Sequence, residues 1–524
     1  MRRTLRQEGL VDQHKLGMLR VALCDDGENA TLRSEIELMA GLLGAPAPFD
    51  YSKSVEDADF LIGIGDCDVP RDSGTPHCRV LVLDDGVRIT TDPTARGGRP
   101  TPLQEAGLCT IASALAWQEI IRRTGVMLPI EIPKKYITVS LRVNPSTMVF
   151  ATNPEDELVI RDAEGRQVPF TTIERDDGTG HVVLRAMFEE GSEIADAALG
   201  SLSVNRKDSE DIHSEPSEIR LGIPRVGGRI SGTALIAGVG GLGSWALHAL
   251  IGGASDSGHD GSGLLLYIVD PDTRVENHNL NRQVLYNDSD LGRPKAEVAV
   301  EKVLGRLPGA EAVPFVGELG SAHLYGLIHP AGDFWHNDTD DPFEDTYEDD
   351  VAFDTNNLNQ RSMEIFHGAD AVLCGVDNLR ARSILGAMAS QVNIPMINAG
   401  AQGFQGQFDL FLPDSSCMIC RYGIHAVRQT VRMSCQEDGE VPFSSIVTST
   451  AIFGALEGLA LISVLSDNHG SPDDWPSHIE WRGKTNQFDV ESDSNFGHFS
   501  AAFLKEGTHA EHLANRLNGV GGEA

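Results

Sequence analysis

The stretch TALIAGVGGLGSWALHALIG, from Thr233 to Gly252, sets the fold class of the region around it. Its apolar opening, Thr233 to Val239, reads as a buried strand and its close, Trp245 to Gly252, as a buried helix. Between them Gly238, Gly240, Gly241 and Gly243 spell the G-x-G-x-x-G turn in its required strand-to-helix setting. Glycines there let a backbone approach phosphates, and the helix N-terminus adds amide donors and a positive dipole end. Thr233 to Ala254 is also the nearest approach to a membrane span, but six of its 22 residues are glycine and His248 interrupts it. Taken alone, the loop describes an NAD enzyme and an ATP enzyme equally well.

The residues that follow separate the two. The strand LLLYIVD ends in Asp270, with Asp272 two residues on, where an acid can bind ribose hydroxyls. Then come Asn279, Arg282, Gln283 and, after Gly292-Arg293-Pro294, Lys295. Hydride transfer has no need of such a cluster. ATP cleavage does, because charge builds on the phosphates in the transition state and fixed cations stabilise it by several kcal/mol. Arg282 and Lys295 therefore argue against an NAD(P)-dependent oxidoreductase.

This succession resembles the ThiF/MoeB/HesA superfamily, the adenylating enzymes that include ubiquitin-activating enzymes. Their pattern is GxGGLGS, a D-x-D…N-L-x-R-Q block, a Lys, and a strand ending in D-N. Here these are Gly238 to Ser244, Asp270 to Gln283, Lys295 and Asp377-Asn378, with one extra residue around Thr273-Arg274. The match runs from about Arg220 to Leu465. The resemblance implies that Asp272 holds the ribose of ATP and that Asn279, Arg282 and Lys295 contact its triphosphate. It also implies that Asp377 holds Mg²⁺, which a carboxylate in a phosphate-rich site suits on its own chemistry.

A weak internal duplication extends the reading towards the N-terminus. ADFLIGIGD, Ala58 to Asp66, and ADAVLCGVD, Ala369 to Asp377, have equal length and share their first two residues and their last. Each has an earlier apolar run, LRVAL from Leu19 or TALIAGV from Thr233, and each is followed by an apolar helix, Cys109 to Arg123 or Ser445 to Leu465. Strands alternating with helices predict an α/β chain with two Rossmann-like, doubly wound parallel units. The first copy has Cys24-Asp-Asp-Gly27 in place of the glycine turn and is expected not to bind nucleotide. It resembles the inactive half of a two-half activating enzyme, and Leu5 to Leu16 looks like the family's short R-Q helix. The resemblance makes Arg6 the candidate arginine reaching the opposite ATP; the alternative is an ordinary N-terminal cation, since the neighbouring Arg2 and Arg3 could substitute.

The expected organisation is thus an inactive adenylation-like domain over 1–128, a small all-β domain over 129–205 and a linker over 206–218. An active adenylation domain follows over 219–468, with an exposed acidic insertion near 332–357. A C-terminal tail over 469–524 carries one hairpin, HIEWRGKTNQFDV, and a helix near His509 to Leu517. The β domain is read from short β-branched segments such as YITVSLRV and HVVLRAMF.

Three cysteines cluster late in the active half. Cys435 lies where this family carries its thioester cysteine, with Arg428 and Arg432 nearby in sequence to favour a thiolate. Two readings stand, nucleophile and incidental exposed thiol. Cys417 and Cys420 form a C-x-x-C, half of the zinc site many relatives carry, and no cysteine follows Cys435. Zinc would need further ligands such as His425 and His478; a reduced structural pair and a redox pair are the other readings. The cysteines at 24, 67, 78, 109 and 374 fall in or beside apolar segments and are expected to be small core residues.

Composition bounds the rest. At 524 residues, and ~150 residues per domain, three or four domains are expected. Hydrophobic residues at 41% and charged residues at 23% give enough apolar material for several cores. A formal net charge of −35 repels a phosphate backbone, so nucleic acid is not an expected partner. Eight scattered cysteines and an N-terminus without an apolar signal core fit a reducing, cytoplasmic protein with no membrane partner.

The resulting expectation is an ATP- and Mg²⁺-dependent activating enzyme for a ubiquitin-like protein, most like the activating component of bacterial ubiquitin-like conjugation systems. The partner's C-terminal carboxylate attacks the α-phosphate, pyrophosphate leaves, and Cys435 captures the acyl group for a conjugating enzyme. The alternative is an adenylyltransferase for sulfur transfer or small-molecule modification.

Overall fold

The computed structural model describes residues 7, 10–25, 27–51, 58–67, 69, 74–128, 216–317, 368–377, 381–382, 385–386, 389, 392–413, 445–469 and 474–491, with the backbone of six strands between 138 and 206. Arg6, Cys417, Cys420, His425, Cys435, the acidic insertion and the helix expected near His509 lie outside these residues. The chain divides into a compact unit formed by residues 1–127 and 216–524 and a second formed by 128–215.

In the first unit, α1 (Gln13–Leu16) is a single turn whose N-cap Asp12 accepts from the Lys15 amide. Then β1 (Val21–Asp25), α2 (Ala30–Leu43), β2 (Phe49–Asp50), β3 (Phe60–Ile64), β4 (His77–Leu83), β5 (Gly86–Thr90) and α3 (Pro102–Arg123) follow in order. Gly44, at φ 78°, ends α2 in the left-handed conformation that a Cβ disfavours. Pro102, at the first position of α3, starts that helix where a missing N–H is harmless. That start lies two turns before the expected Cys109.

The second unit holds β6 (Thr138–Ser140), β7 (Thr147–Thr152), β8 (Asp156–Arg161), β9 (Thr171–Asp176), β10 (Val182–Met187) and β11 (Ser201–Arg206). β6, β7, β10 and β9 form one antiparallel sheet in that order, and β11 pairs with β8 in another.

Back in the first unit come β12 (Ile219–Gly222), β13 (Val226–Ile230), β14 (Gly232–Ala237), α4 (Gly241–Asp256), β15 (Leu264–Asp270), α5 (Lys295–Arg306), β16 (Glu311–Val316), β17 (Ala371–Cys374), β18 (Met396–Gln402), β19 (Gln405–Phe411), α6 (Val447–Leu465), β20 (Ser466–His469), β21 (His478–Arg482) and β22 (Gln487–Glu491). The first sheet runs β12-β5-β4-β3-β1-β2, and the large sheet runs β16-β15-β14-β17-β18-β19-β21-β22. Two expected boundaries shift. β12, assigned from sequence to the start of the active domain, pairs antiparallel with β5 and closes the first sheet. The hairpin β21/β22, assigned to a tail, extends the large sheet through β19.

Each of the two similar segments lies beside the opening strand of its sheet: β3 pairs in parallel with β1, and β17 with β14. In both sheets the chain leaves that strand to one side and returns on the other. This makes a topological switch point at the carboxyl ends of the pair, where open α/β sheets bind ligands.

Three helices, α3, α4 and α6, pack together between the sheets. Small residues set their closeness: a Cβ on Gly107 would lie 2.7 Å from Leu459 Cγ, and one on Gly253 would lie 2.1 Å from the Leu103 carbonyl oxygen. Across this contact His248 Nε2 of α4 meets Glu35 Oε1 of α2 at 2.9 Å. The α6 helix is long and apolar enough to cross a membrane, but it is buried in this core.

At the switch point of the first sheet, Cys24 and Cys67 form a disulfide. This corrects the expectation that both are free core cysteines; their strand ends approach to a Cα–Cα distance of 6.0 Å. Cys78, Cys109 and Cys374 are free and buried, as expected, and burial pushes their thiols up, Cys374 to about 12.

Candidate active site

At the carboxyl ends of β14 and β17, the residues from Gly238 to Ser244 turn into α4. Gly238 sits at φ 86°, where a side chain is strained, and a Cβ on it would lie 2.8 Å from the Gly375 carbonyl oxygen. Gly243 needs its bareness for another reason: a Cβ would sit 2.0 Å from the Gly238 carbonyl oxygen. The turn is therefore pressed against β17. Gly240 is different. The nearest atom to a Cβ there is Gln283 Nε2 at 3.8 Å, so its missing side chain leaves space beside that amide. Arg282 Nε stands 3.9 Å from a Cβ placed on Gly241.

The sequence-predicted residues converge on this turn with differing tasks. Asp270, 4% exposed, accepts from the Val239 amide at 2.8 Å and the Asp272 amide at 2.9 Å. It clamps the loop from within. Burial raises its pKa, an effect Asp272 reinforces and Lys295 and the two amides oppose. Asp272 is the more open of the two acids and forms an ion pair with Lys295 Nζ. Lys295 is buried at the first position of α5, where the helix dipole disfavours a cation. Held there, it favours an anion in front of it.

Asn279 and Glu276 close a capping box around the 3₁₀ turn Asn277–Asn279, with Asn279 Oδ1 accepting from the Glu276 amide at 2.8 Å. That turn aims Arg282, whose Nη1 donates to the His278 carbonyl at 2.8 Å and whose own carbonyl accepts from Trp245 Nε1 of α4 at 2.9 Å. Gln283 is 2% exposed, and its Oε1 has no hydrogen-bond partner. A buried orphan amide oxygen marks an unmet polar contact, and the amide can turn to present either end to a ligand. Asp377 is exposed at the end of β17, two residues beyond the Gly375 backbone that touches Gly238.

Sequence reading did not find Tyr286. Its hydroxyl is buried and lies 2.9 Å from the Val239 carbonyl and 3.4 Å from that of Lys295, joining the glycine turn to the start of α5. The only signal was a polar ring in QVLYN with no motif assigned to it. Tyr286→Phe is expected to leave the Val239 carbonyl unpaired, lowering stability by about 1 kcal/mol and weakening nucleotide binding about fivefold. Calorimetric titration of both proteins with ATP checks this; equal affinities would show that the hydroxyl does not shape the loop.

These residues suit the phosphates of a nucleotide. Amides at a helix N-terminus, two buried guanidinium and ammonium groups, and an unpaired amide border space that a Cβ would fill. The family model described as ThiF family matches residues 230–501, more than half the chain. The chain belongs to the ThiF family. It is 27% identical over 197 residues to a NEDD8-activating enzyme E1 catalytic subunit of Schizosaccharomyces pombe, an alignment covering 36% of this chain and 33% of that protein. With a SAMP-activating enzyme E1 of Haloferax volcanii it shares 26% identity over 229 residues, 44% of this chain and 63% of the other. A sulfur carrier protein ThiS adenylyltransferase of Escherichia coli is 26% identical over 234 residues, 44% of this chain and 71% of that one. The chain thus spans less than two thirds of the first two relatives. Among solved structures, E. coli MccB with ATP is 17% identical and covers 52% of this chain and 64% of its own, at a TM-score of 0.33, too low to decide anything further.

Proposed function

We propose that this ThiF-family chain is an ATP- and Mg²⁺-dependent adenylyltransferase that activates the C-terminal carboxylate of a ubiquitin-like protein. The observation that carries it is the placing of Arg282 and the orphaned Gln283 against the glycine turn, with the buried Lys295 joined to that turn through Tyr286 and paired with Asp272. A dinucleotide oxidoreductase does not call for two buried cations beyond its ribose acid. The chain's similarity to proteins named as E1 enzymes and as a ThiS adenylyltransferase supports the same class.

In this reading the α4 amides and Lys295 hold the phosphates, and Arg282 neutralises charge that grows on them as pyrophosphate departs. Asp272 exchanges part of its pairing with Lys295 for the ribose hydroxyls. Asp377 would hold Mg²⁺, which supplies further charge neutralisation when bound. Asp270 and Tyr286 keep the turn in shape, and the incoming carboxylate attacks the α-phosphate to give an acyl-adenylate. Cys435 then takes the acyl group as a thioester and passes it to a conjugating enzyme. Arg6 is assigned to the triphosphate. The sheet at 21–90 is the inactive half. Its switch point carries a disulfide instead of a glycine turn, and Arg79 donates to the carbonyls of Gly65, Asp92, Pro93 and Ala95 beside it. Cys417 and Cys420 lie outside the described residues, and zinc there is not proposed.

The test incubates the chain with Mg·ATP and a ubiquitin-like protein ending in glycine. AMP and pyrophosphate are expected, with a reductant-sensitive adduct on Cys435 that Cys435→Ser abolishes. Pyrophosphate formation with no adduct on Cys435 would remove the thioester step and leave the sulfur-transfer class of adenylyltransferase.

A further inference from the structure

Across the large sheet, one transverse row runs Ala237, Cys374, Asn398, Asp409 and His478 in register over β14, β17, β18, β19 and β21. Ala237 is the last residue before the glycine turn, so the row lies along the ligand-binding edge. Three consecutive members are polar and buried or nearly so: Asn398 and Asp409 are 0% exposed, and the His478 side chain is 13% exposed. An apolar row would satisfy the sheet equally well.

The polar members form one connected chain. Asp409 Oδ1 meets His478 Nδ1 at 2.8 Å, and its Oδ2 accepts from Asn398 Nδ2 at 3.0 Å. Asn398 Oδ1 accepts from Arg382 Nη1 at 2.8 Å, which fixes the orientation of that amide. Arg382 also donates to the Ala399 carbonyl and, through Nη2, to the Val376 carbonyl at 2.5 Å. Val376 directly precedes Asp377. The peptide plane that presents the Asp377 carboxylate is therefore held by Arg382, and Arg382 is aimed by a chain that ends on His478 in the C-terminal hairpin. The carboxylate of Asp409 also sets the imidazole tautomer with the proton on Nδ1.

We infer that His478 and Asp409 are positioning residues for the divalent cation held at Asp377, acting through Asn398 and Arg382. The inference rests on the adenylation reading above, which supplies the cation. Outer partners of a metal-holding carboxylate commonly alter metal affinity by about 10–100-fold without touching the ion. Here the coupling runs through the backbone: Arg382 holds the Val376 carbonyl, and His478 stands at the far end of the chain that aims it.

The test needs no protein partner. The full chain is unfolded thermally with saturating ATP over a Mg²⁺ series, and the Mg²⁺ concentration giving half of the added stabilisation is read. His478→Leu removes the donor to Asp409 and is expected to raise that concentration about tenfold. His478→Asn keeps an N–H at nearly the Nδ1 position and is expected to restore it to within about twofold of wild type. Asp409→Asn is expected to act like His478→Leu, and the double variant to add little to either. A merely structural role would lower the unliganded melting temperature while leaving the Mg²⁺ midpoint unmoved, and that result overturns the inference alone. Equal Mg²⁺ midpoints for the Leu and Asn variants would do the same. No stabilisation of the wild type by Mg·ATP would overturn both the inference and the adenylation reading beneath it.

Discussion

Replacing Lys295 with alanine is expected to slow ATP-dependent pyrophosphate release about 10²–10³-fold, the usual cost of losing one preorganised charge at a reacting phosphate. The ammonium is buried at the start of α5, against the helix dipole, and its ion pair is with Asp272. Such a placement is unfavourable for the empty helix and favourable once an anion arrives. The fold should tolerate the change, because the Asp272 side chain is 34% exposed and water can solvate it when Lys295 is gone. Lys295→Arg is not expected to restore the rate, since the broader guanidinium does not fit the ammonium's pairing with Asp272. Pyrophosphate release measured under saturating substrate separates these outcomes. A rate within threefold of wild type for the alanine variant would remove Lys295 from the site.

The second large effect concerns stability. Glu457 of α6 is fully buried, neither carboxyl oxygen has a completed hydrogen bond, and burial raises its pKa well above the ordinary 4.5. The Arg382 guanidinium and the Ala399 amide oppose this without reversing it. The folded chain therefore holds the Glu457 proton to higher pH than the unfolded chain, whose carboxyl ionises around pH 4.5. Folding takes up a proton, so Glu457's contribution is fully present below the unfolded value and is lost as pH rises. Glu457→Gln is neutral throughout and is expected to gain stability relative to the wild type as pH rises above the unfolded value, the gap closing towards pH 4.5. Urea unfolding of both proteins from pH 5 to pH 8 reads it. Parallel stability curves would mean that Glu457 is ionised in the fold.

Much of the fold was legible because glycine and apolar runs carry local information. The turn from Gly238 to Gly243 fell between β14 and α4 as read, and the two similar segments became the strands beside β1 and β14. What the sequence hid was long-range pairing. Nothing in IRLG marks it for the first sheet, because an antiparallel edge partner is chosen by whichever strand is exposed, here β5. The Cys24–Cys67 disulfide was hidden for the same reason: 43 residues separate two cysteines that only the parallel pairing of β1 with β3 brings together.

The site shows the same division. Asp270, Arg282, Gln283 and Lys295 could be found because residue types at fixed spacing beyond the glycine turn are local information. Asp409 gave a fainter signal, a single acid inside the apolar strand QGQFDLF, and Glu457 another in VTSTAIFGALEGLALISVL. Neither has meaning without the cross-sheet register that sets Asp409 beside Asn398 and His478. Asn279 Oδ1 closes a capping box, a local task that spacing alone does not reveal.

On the adenylation reading the switch point of the large sheet takes a nucleoside triphosphate and not a dinucleotide. Thermal unfolding of the wild type and of Lys295→Ala, each with Mg·ATP and separately with NAD, tests it most directly. At about 100 times its dissociation constant a ligand adds ~2.7 kcal/mol. That shift is expected for the wild type with Mg·ATP, little of it for Lys295→Ala, and none for either protein with NAD. Stabilisation by NAD with no response to Mg·ATP would contradict it.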